Sequence, residues 1–225
     1  TSRYQISMLI QSFPAGPWAT NCYVIANEKD SECLIIDPGF ESIQEIRQIC
    51  NKFNLHPVAT LLTHGHMDHV WSVVPLCSGH NISSFIHPKD EWMLSTPEKA
   101  YSKSSWQELI NLNGSIPKFL PDNLQFLKNR MELELAGIKF KCHHAPGHTE
   151  GSTVFSFNQI LFSGDVLFKK GIGRTDLAGG DSVAMNESLK NVILKFPDEM
   201  SVYPGHGPST TIGDERKTNP YLQDL

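Results

Sequence analysis

The chain has no excess of basic residues. Nineteen Lys and Arg stand against twenty-four Asp and Glu, for a formal net charge of −5. Nothing in that balance draws a nucleic-acid backbone or an anionic membrane surface. There is no apolar run of membrane-spanning length. There is no signal-like opening either: Thr1 to Gln5 lead straight into a strand-like pattern. Five cysteines (Cys22, Cys33, Cys50, Cys77, Cys142) are odd in number, scattered, and form no C-x-x-C pair. Three sit inside apolar runs, as buried thiols do in a reducing compartment, so the expected location is cytoplasmic. No low-complexity or linker segment divides the 225 residues. One domain over 1–225 is expected, long enough to bury a sizeable core.

What the chain does have is clustered histidine. Thr63-His64-Gly65-His66-Met67-Asp68-His69 packs four strong metal ligands as H-x-H-x-D-H. The apolar run Val58–Leu62 just before it reads as a buried strand. Side chains alternate along a strand, so His64 and His66 can leave its end on one side. Asp68 and His69 follow on a bend or a first helical turn. Four ligands from so short a segment suit two neighbouring metals better than one. Imidazole and carboxylate without cysteine favour zinc or iron in an open site.

Three later segments share one local form, an apolar strand followed by a ligand with glycine beside it. They are Pro146-Gly147-His148-Thr149, Ser163-Gly164-Asp165 and Pro204-Gly205-His206-Gly207-Pro208. The full set is His64, His66, Asp68, His69, His148, Asp165 and His206. Seven ligands exceed one tetrahedral ion and match two ions with one bridging carboxylate and room for water and substrate. Zinc is the first expectation for the two divalent ions, with iron or manganese as alternatives. His56, His80 and His87 lie in loop-like contexts and are not expected to be ligands. His143 and His144 are near enough to His148 to orient it.

The remaining pattern predicts strands at 4–10, 20–26, 33–36, 58–62 and 83–86, a loop at 14–17, and an amphipathic helix over 41–53. A second run of strands begins near Leu124 and continues at 131–135, 137–142, 152–157, 160–163 and 200–203. A helix is expected over 181–196. Between the runs, residues 88–122 form a helical excursion with short helices near 89–95 and 104–113. It is either a surface layer packing its own aromatics or a wall over the site. The strand-rich, helix, strand, ligand order occurs twice, around 1–87 and 123–206. That repeat predicts two sheets packed face to face with helices outside.

With these residues in hand, the chain resembles the metallo-β-lactamase superfamily of hydrolases. The resemblance is carried by Thr63–His69, His148, Asp165 and His206 in that order, with Asp37-Pro38-Gly39 and Thr20-Asn21-Cys22-Tyr23. It implies an α/β (α+β) four-layer αββα sandwich of two mixed sheets. It also implies that His64, His66 and His148 hold one metal, that Asp68, His69 and His206 hold the other, and that Asp165 bridges them. Within the superfamily the chain is similar to the glyoxalase II type, the hydroxyacylglutathione hydrolases. That similarity rests on Gly171-Ile172-Gly173-Arg174-Thr175-Asp176 and on the stretches 205–213 and 215–222.

The resemblance implies thioester hydrolysis by a hydroxide shared between two ions, with Asp68 and Asp165 in catalytic roles and Asp68 also a proton acceptor. Arg174 is the implied substrate-binding residue, meeting a carboxylate of the thiol; the alternative is a local ion pair with Asp176 or Asp181. Longer glyoxalase II enzymes carry a helical C-terminal region that contacts glutathione. Here nineteen residues follow His206, so Arg174 is expected to carry a larger share of binding. Related nucleases carry a large domain late in the chain. Sixteen residues separate His148 from Asp165 and forty separate Asp165 from His206, which leaves no room for one. Persulfide dioxygenases, iron enzymes of the same fold with a similar Arg-bearing loop, are the closer rival, and lactone or lactam hydrolysis is a further alternative. A small-molecule thioester is the expected partner, with no nucleic acid and no membrane.

Overall fold

Side-chain alternation along the early strands divides their residues between two cores. In a computed structural model, which describes residues 8–225, Tyr23 and Ile25 face one way and Cys22, Val24 and Ala26 the other. The first run of elements is β1 (Leu9–Ala15), β2 (Thr20–Ala26), β3 (Glu32–Ile36), α1 (Ile43–Phe53), β4 (His56–Leu61), α2 (Met67–Val70), α3 (Val73–His80), β5 (Ser83–Ile86), α4 (Glu91–Ser95), α5 (Lys103–Asn113) and β6 (Leu124–Phe126). The second is β7 (Glu132–Leu135), β8 (Ile138–His144), β9 (Thr153–Phe157), β10 (Ile160–Gly164), α6 (Ser182–Asn191), β11 (Ser201–Pro204), β12 (Thr210–Thr211) and α7 (Ile212–Thr218).

Each run forms one mixed six-stranded sheet, β1-β2-β3-β4-β5-β6 and β12-β11-β10-β9-β8-β7. Between the sheets Tyr23, Ile25, Leu34, Ile36 and Leu61 meet Phe140, Cys142, Phe155 and Phe162. Outside the first sheet, Ile46 and Cys50 of α1 and Leu76 of α3 cover Cys22, Val24, Cys33 and Ile35. Outside the second, Met185 and Leu189 of α6 cover Val154, Leu161 and Val202. These are the four layers of an αββα sandwich. Burying each such Leu, Ile or Phe contributes about 1.5–3 kcal/mol, so the three cores account for the layering without help from surface charge.

Several expectations shift. The strand expected at 4–10 lies partly outside the described residues, and β1 runs on to Ala15, through part of the expected loop. Pro14 is tolerated there because, among the described residues, β1 is an edge strand with no neighbour on its far side. β6 was expected to open the second sheet. Instead it pairs in parallel with β5, Ser84 opposite Leu124, so the halves divide after it. The helix expected over 181–196 stops at Asn191 and tightens into a 3₁₀ turn at Ile193–Lys195. β12 and α7 had no prediction; they are two and seven residues long, too short for a periodic signal. All five cysteines are buried and free. Among the described residues no helix is long and apolar enough to cross a membrane.

Candidate metal centre

The chain leaves β4 into Thr63–His69 at one edge of the sandwich. Pro204 at the end of parallel strand β11 is stitched to that edge, since its carbonyl accepts from Tyr23 Oη (2.5 Å) and Asn21 Nδ2 (3.0 Å). The seven expected ligands all converge here. Three overlapping groups have donor atoms within 4.8 Å of one another: His64, His66 and His148; His64, His69 and Asp165; and Asp68, His69 and His206.

Four of the five histidines are aimed by the outer ring nitrogen, while His66 Nε2 is buried without a partner. His69 Nδ1 donates to Asp37 Oδ2 (2.8 Å), and His64 Nδ1 lies 3.1 Å from Thr63 Oγ1, which itself donates to Asp37 Oδ2 (2.6 Å). His148 Nδ1 donates to the Arg174 carbonyl (2.7 Å) and His206 Nδ1 to the Trp18 carbonyl (3.0 Å). All four therefore turn Nε2 inward, the atom through which such imidazoles bind a metal. His66 presents Nδ1, 2.9 Å from His148 Nε2.

The fit to a metal can be tested on the atoms themselves. His64 Nε2, His69 Nε2 and Asp165 Oδ1 are buried and have no hydrogen-bond partner. Buried polar atoms are seldom left so, and here the orphans face one another across a gap. Glycine is required beside the cluster: a Cβ on Gly205 would overlap Asp165 Oδ1, and one on Gly173 would overlap the Asp165 carbonyl.

Charge points the same way. Burial holds His64 well below its usual value and His66 down to about 3, so both stay neutral. Burial pushes the Asp68 and Asp165 carboxyls up, but His69 and His206 outweigh it and hold both below the carboxylate range. Burial likewise opposes charge on His69 and His206, yet the carboxylates win and raise both, His206 to about 9. Two ionised carboxylates draw positive charge into the cluster. Two divalent cations fit this donor set.

Four supporting residues were given no part in the site by the sequence reading, although Asp37 and Thr20 lie in segments that carry the resemblance. Asp37 holds His69 and Thr63; its Asp-Pro-Gly context at a strand end was the available signal. Asp90 is buried and accepts from Gly65 N (3.0 Å), Thr149 Oγ1 (2.7 Å) and Gly151 N (2.7 Å). It ties the excursion to both ligand loops, and nothing in the 88–122 sequence marks it. Thr20 Oγ1 donates to Asp68 Oδ2 (2.7 Å), and Tyr101 Oη accepts from Met67 N (3.1 Å).

Other residues stand apart from the centre. The Arg174 guanidinium makes two 2.7 Å bonds to Asp176, and both side chains are exposed. None of His56, His80 and His87 joins the cluster; His56 and His80 are exposed, and His87 is buried and stacks on His144 at 4.0 Å. His143 bonds Ser156 Oγ and His144 the Glu150 carbonyl, each at 2.8 Å, so neither orients a ligand directly.

This arrangement is that of a metal-dependent hydrolase, and comparison with known proteins agrees. Residues 15–206 match the family model of the metallo-beta-lactamase superfamily, and the chain belongs to that superfamily. It is 40% identical to an uncharacterized protein of Mycobacterium tuberculosis, covering 97% of this chain and 99% of the other. It is 35% identical to a Haemophilus influenzae protein named hydroxyacylglutathione hydrolase GloC, over 96% and 98%. Among solved structures it resembles the BLEG-1 B3 metallo-beta-lactamase (TM-score 0.83, 35% identity, 96% and 100% covered). It also resembles TTHA1623, solved in a di-iron-bound form (TM-score 0.77, 34% identity, 94% and 100% covered).

Proposed function

We propose that this protein hydrolyses a small-molecule thioester of the hydroxyacylglutathione kind at a two-metal centre, with zinc as the first candidate ion and iron or manganese as alternatives. The observation that carries the reading is the convergence of seven ligands, two of them carboxylates, with no serine or cysteine nucleophile in the cluster. When bound, two divalent ions supply a hydroxide near neutral pH and a Lewis acid for the carbonyl oxygen. His64, His66 and His148 would hold one ion, Asp68, His69 and His206 the other, with Asp165 shared.

The chain's own residues do the rest. Thr20 Oγ1 donates to Asp68 Oδ2, the oxygen that also lies 3.3 Å from His69 Nε2 and His206 Nε2, and so fixes the carboxylate that would serve as ligand and proton acceptor. A thioester expels a thiolate, so no general acid is needed. Arg174 joins the centre through its carbonyl on His148. Its exposed guanidinium can leave Asp176 for a substrate carboxylate, because an exposed ion pair adds little. The relative named hydroxyacylglutathione hydrolase supports the choice of substrate class. With 34% identity, the neighbour solved with two irons supports a two-ion count.

The test is thiol release from S-D-lactoylglutathione by purified protein loaded with zinc, manganese or iron. Wild type should turn over and bind close to two ions per chain. Asp165→Ala should lose most activity and keep its circular dichroism. Oxygen uptake with a persulfide and one iron, without thiol release, would replace this reading with the dioxygenase one.

A further inference from the structure

A cavity of about 250 Å³ opens beside Asp68. Its apolar walls are Trp18 from the loop between β1 and β2, Met67 at the start of α2, and Tyr101, Leu109 and Leu112 from the excursion. We propose that this cavity receives the acyl chain of the substrate and selects uncharged, apolar chains. The proposal rests on the thioester reading and adds the class of acyl group.

Three observations carry it. The cavity shares Asp68 with the metal centre, so a chain seated in it has its carbonyl end at the reacting groups. Its rim exposes apolar surface: Trp18 is 37% and Leu112 76% exposed, and a ligand that displaces water from both gains what folding leaves unburied. The charged groups in its lining are Asp68 and Glu108, both acidic, with no lysine or arginine among them. An anionic acyl arm would meet the Glu108 carboxylate, with Asp68 taken up by an ion, whereas an alkyl arm meets four apolar side chains and Tyr101. At about 30 Å³ per water-sized group the volume takes on the order of eight such groups, enough for a medium acyl chain.

The division of labour follows. Arg174 meets the centre at His148 and suits the carboxylate-bearing thiol; the cavity meets it at Asp68 and suits the acyl side. The excursion is then a wall of the site and not only a layer over its own aromatics. Helix α5 is held with no fully buried residue of its own. Leu109 packs in part against the core that holds Trp71 and Phe119, and Leu112, 76% exposed, is left for a ligand.

The test keeps the thiol fixed as glutathione and varies the acyl group through acetyl, butyryl, hexanoyl and succinyl. In wild type, kcat/KM should rise about two- to fourfold per methylene from acetyl to hexanoyl, the worth of a buried CH₂, and succinyl should fall below butyryl. Leu112→Asp, a change at a position 76% exposed, should lower the hexanoyl-to-acetyl ratio at least tenfold, with circular dichroism unchanged. Glu108→Lys should raise the succinyl-to-butyryl ratio. A second readout needs no turnover: a ketone analogue of the hexanoyl thioester should change Trp18 emission saturably, with the change absent in Trp18→Phe and weakened in Leu112→Asp. Turnover of every thioester with a flat acyl series would overturn the cavity proposal and leave the thioester reading standing. Saturable ketone binding without turnover of any thioester would retire the thioester reading, and the cavity would then select apolar chains of another substrate.

Discussion

The two halves of the sandwich deliver ligands to one centre by different means. The first half supplies four from a single seven-residue segment and holds two of them through side chains, Asp37 on His69 and Thr63 on His64. The second half supplies three from three separate strand ends. His148 and His206 are held through main-chain carbonyls, that of Arg174 from the same half and that of Trp18 from the first. A ligand aimed by a carboxylate is more basic and can be misdirected by one substitution. A ligand aimed by a carbonyl depends on the backbone path and is indifferent to the side chain that carries it.

The largest effect should come from Asp37→Ala. It leaves His69 Nδ1, Thr63 N and Thr63 Oγ1 without their shared acceptor in the buried base of the site. Removing one partner of such a buried pair costs on the order of 3–5 kcal/mol. Loss of an outer-shell carboxylate lowers metal affinity about 10–100-fold. Urea unfolding of the ion-free protein and competition with a chromogenic chelator measure the two. Wild-type values for both would mean that the carboxylate is dispensable and that the contrast between halves has no energetic content.

That contrast also explains what could be read in advance. The segment Thr63–His69 was legible because its spacing is local: four ligands fall within one strand end and one turn. His148, Asp165 and His206 were legible only through their shared strand-then-glycine form. The overlap that a Cβ on Gly205 would make with Asp165 shows why glycine recurs there. Their holders were not legible at all, since a carbonyl acceptor leaves no residue signature. The two-sheet sandwich was readable from period-2 runs flanked by turns. The side that β6 joins was not, because three residues, Leu124–Phe126, pair equally well with either sheet by pattern alone.

Asp90→Asn should have an intermediate effect and should sharpen the comparison. Asp90 comes from the excursion and accepts from both halves, Gly65 N on one side and Thr149 Oγ1 and Gly151 N on the other. An amide keeps one acceptor and turns an NH₂ toward a donor, so at least one buried N–H loses its partner, at a cost of about 1–3 kcal/mol. Gly65 lies between His64 and His66, and Thr149 and Gly151 follow His148 directly, whereas Asp68, His69 and His206 lie farther along their loops. One ion of the two should therefore weaken while the Asp68, His69 and His206 group keeps its affinity. Stepwise metal titration by calorimetry resolves this; equal weakening of both ions would mean that Asp90 supports the fold as a whole.

Arg174→Ala should have the smallest effect on metal and fold, and it is the most direct test of carbonyl holding. The substitution removes a guanidinium whose bonds go to exposed Asp176 and leaves the carbonyl that accepts from His148 untouched. Metal stoichiometry, metal affinity and the unfolding midpoint should all match wild type. Activity should not, if Arg174 meets a substrate carboxylate. The contact is remote from the scissile carbonyl and is made in ground and transition states alike, so KM should rise with kcat nearly unchanged. The loss of one charged hydrogen bond corresponds to about ten- to hundredfold in kcat/KM. It should appear on a glutathione thioester and be absent on an uncharged thioester such as an N-acetylcysteamine ester. An equal loss on both substrates, with metal affinity intact, would leave the side chain a support for the 171–176 loop. A loss of metal affinity would show that the side chain governs where its own carbonyl sits, and the two halves would then differ less than their hydrogen bonds indicate.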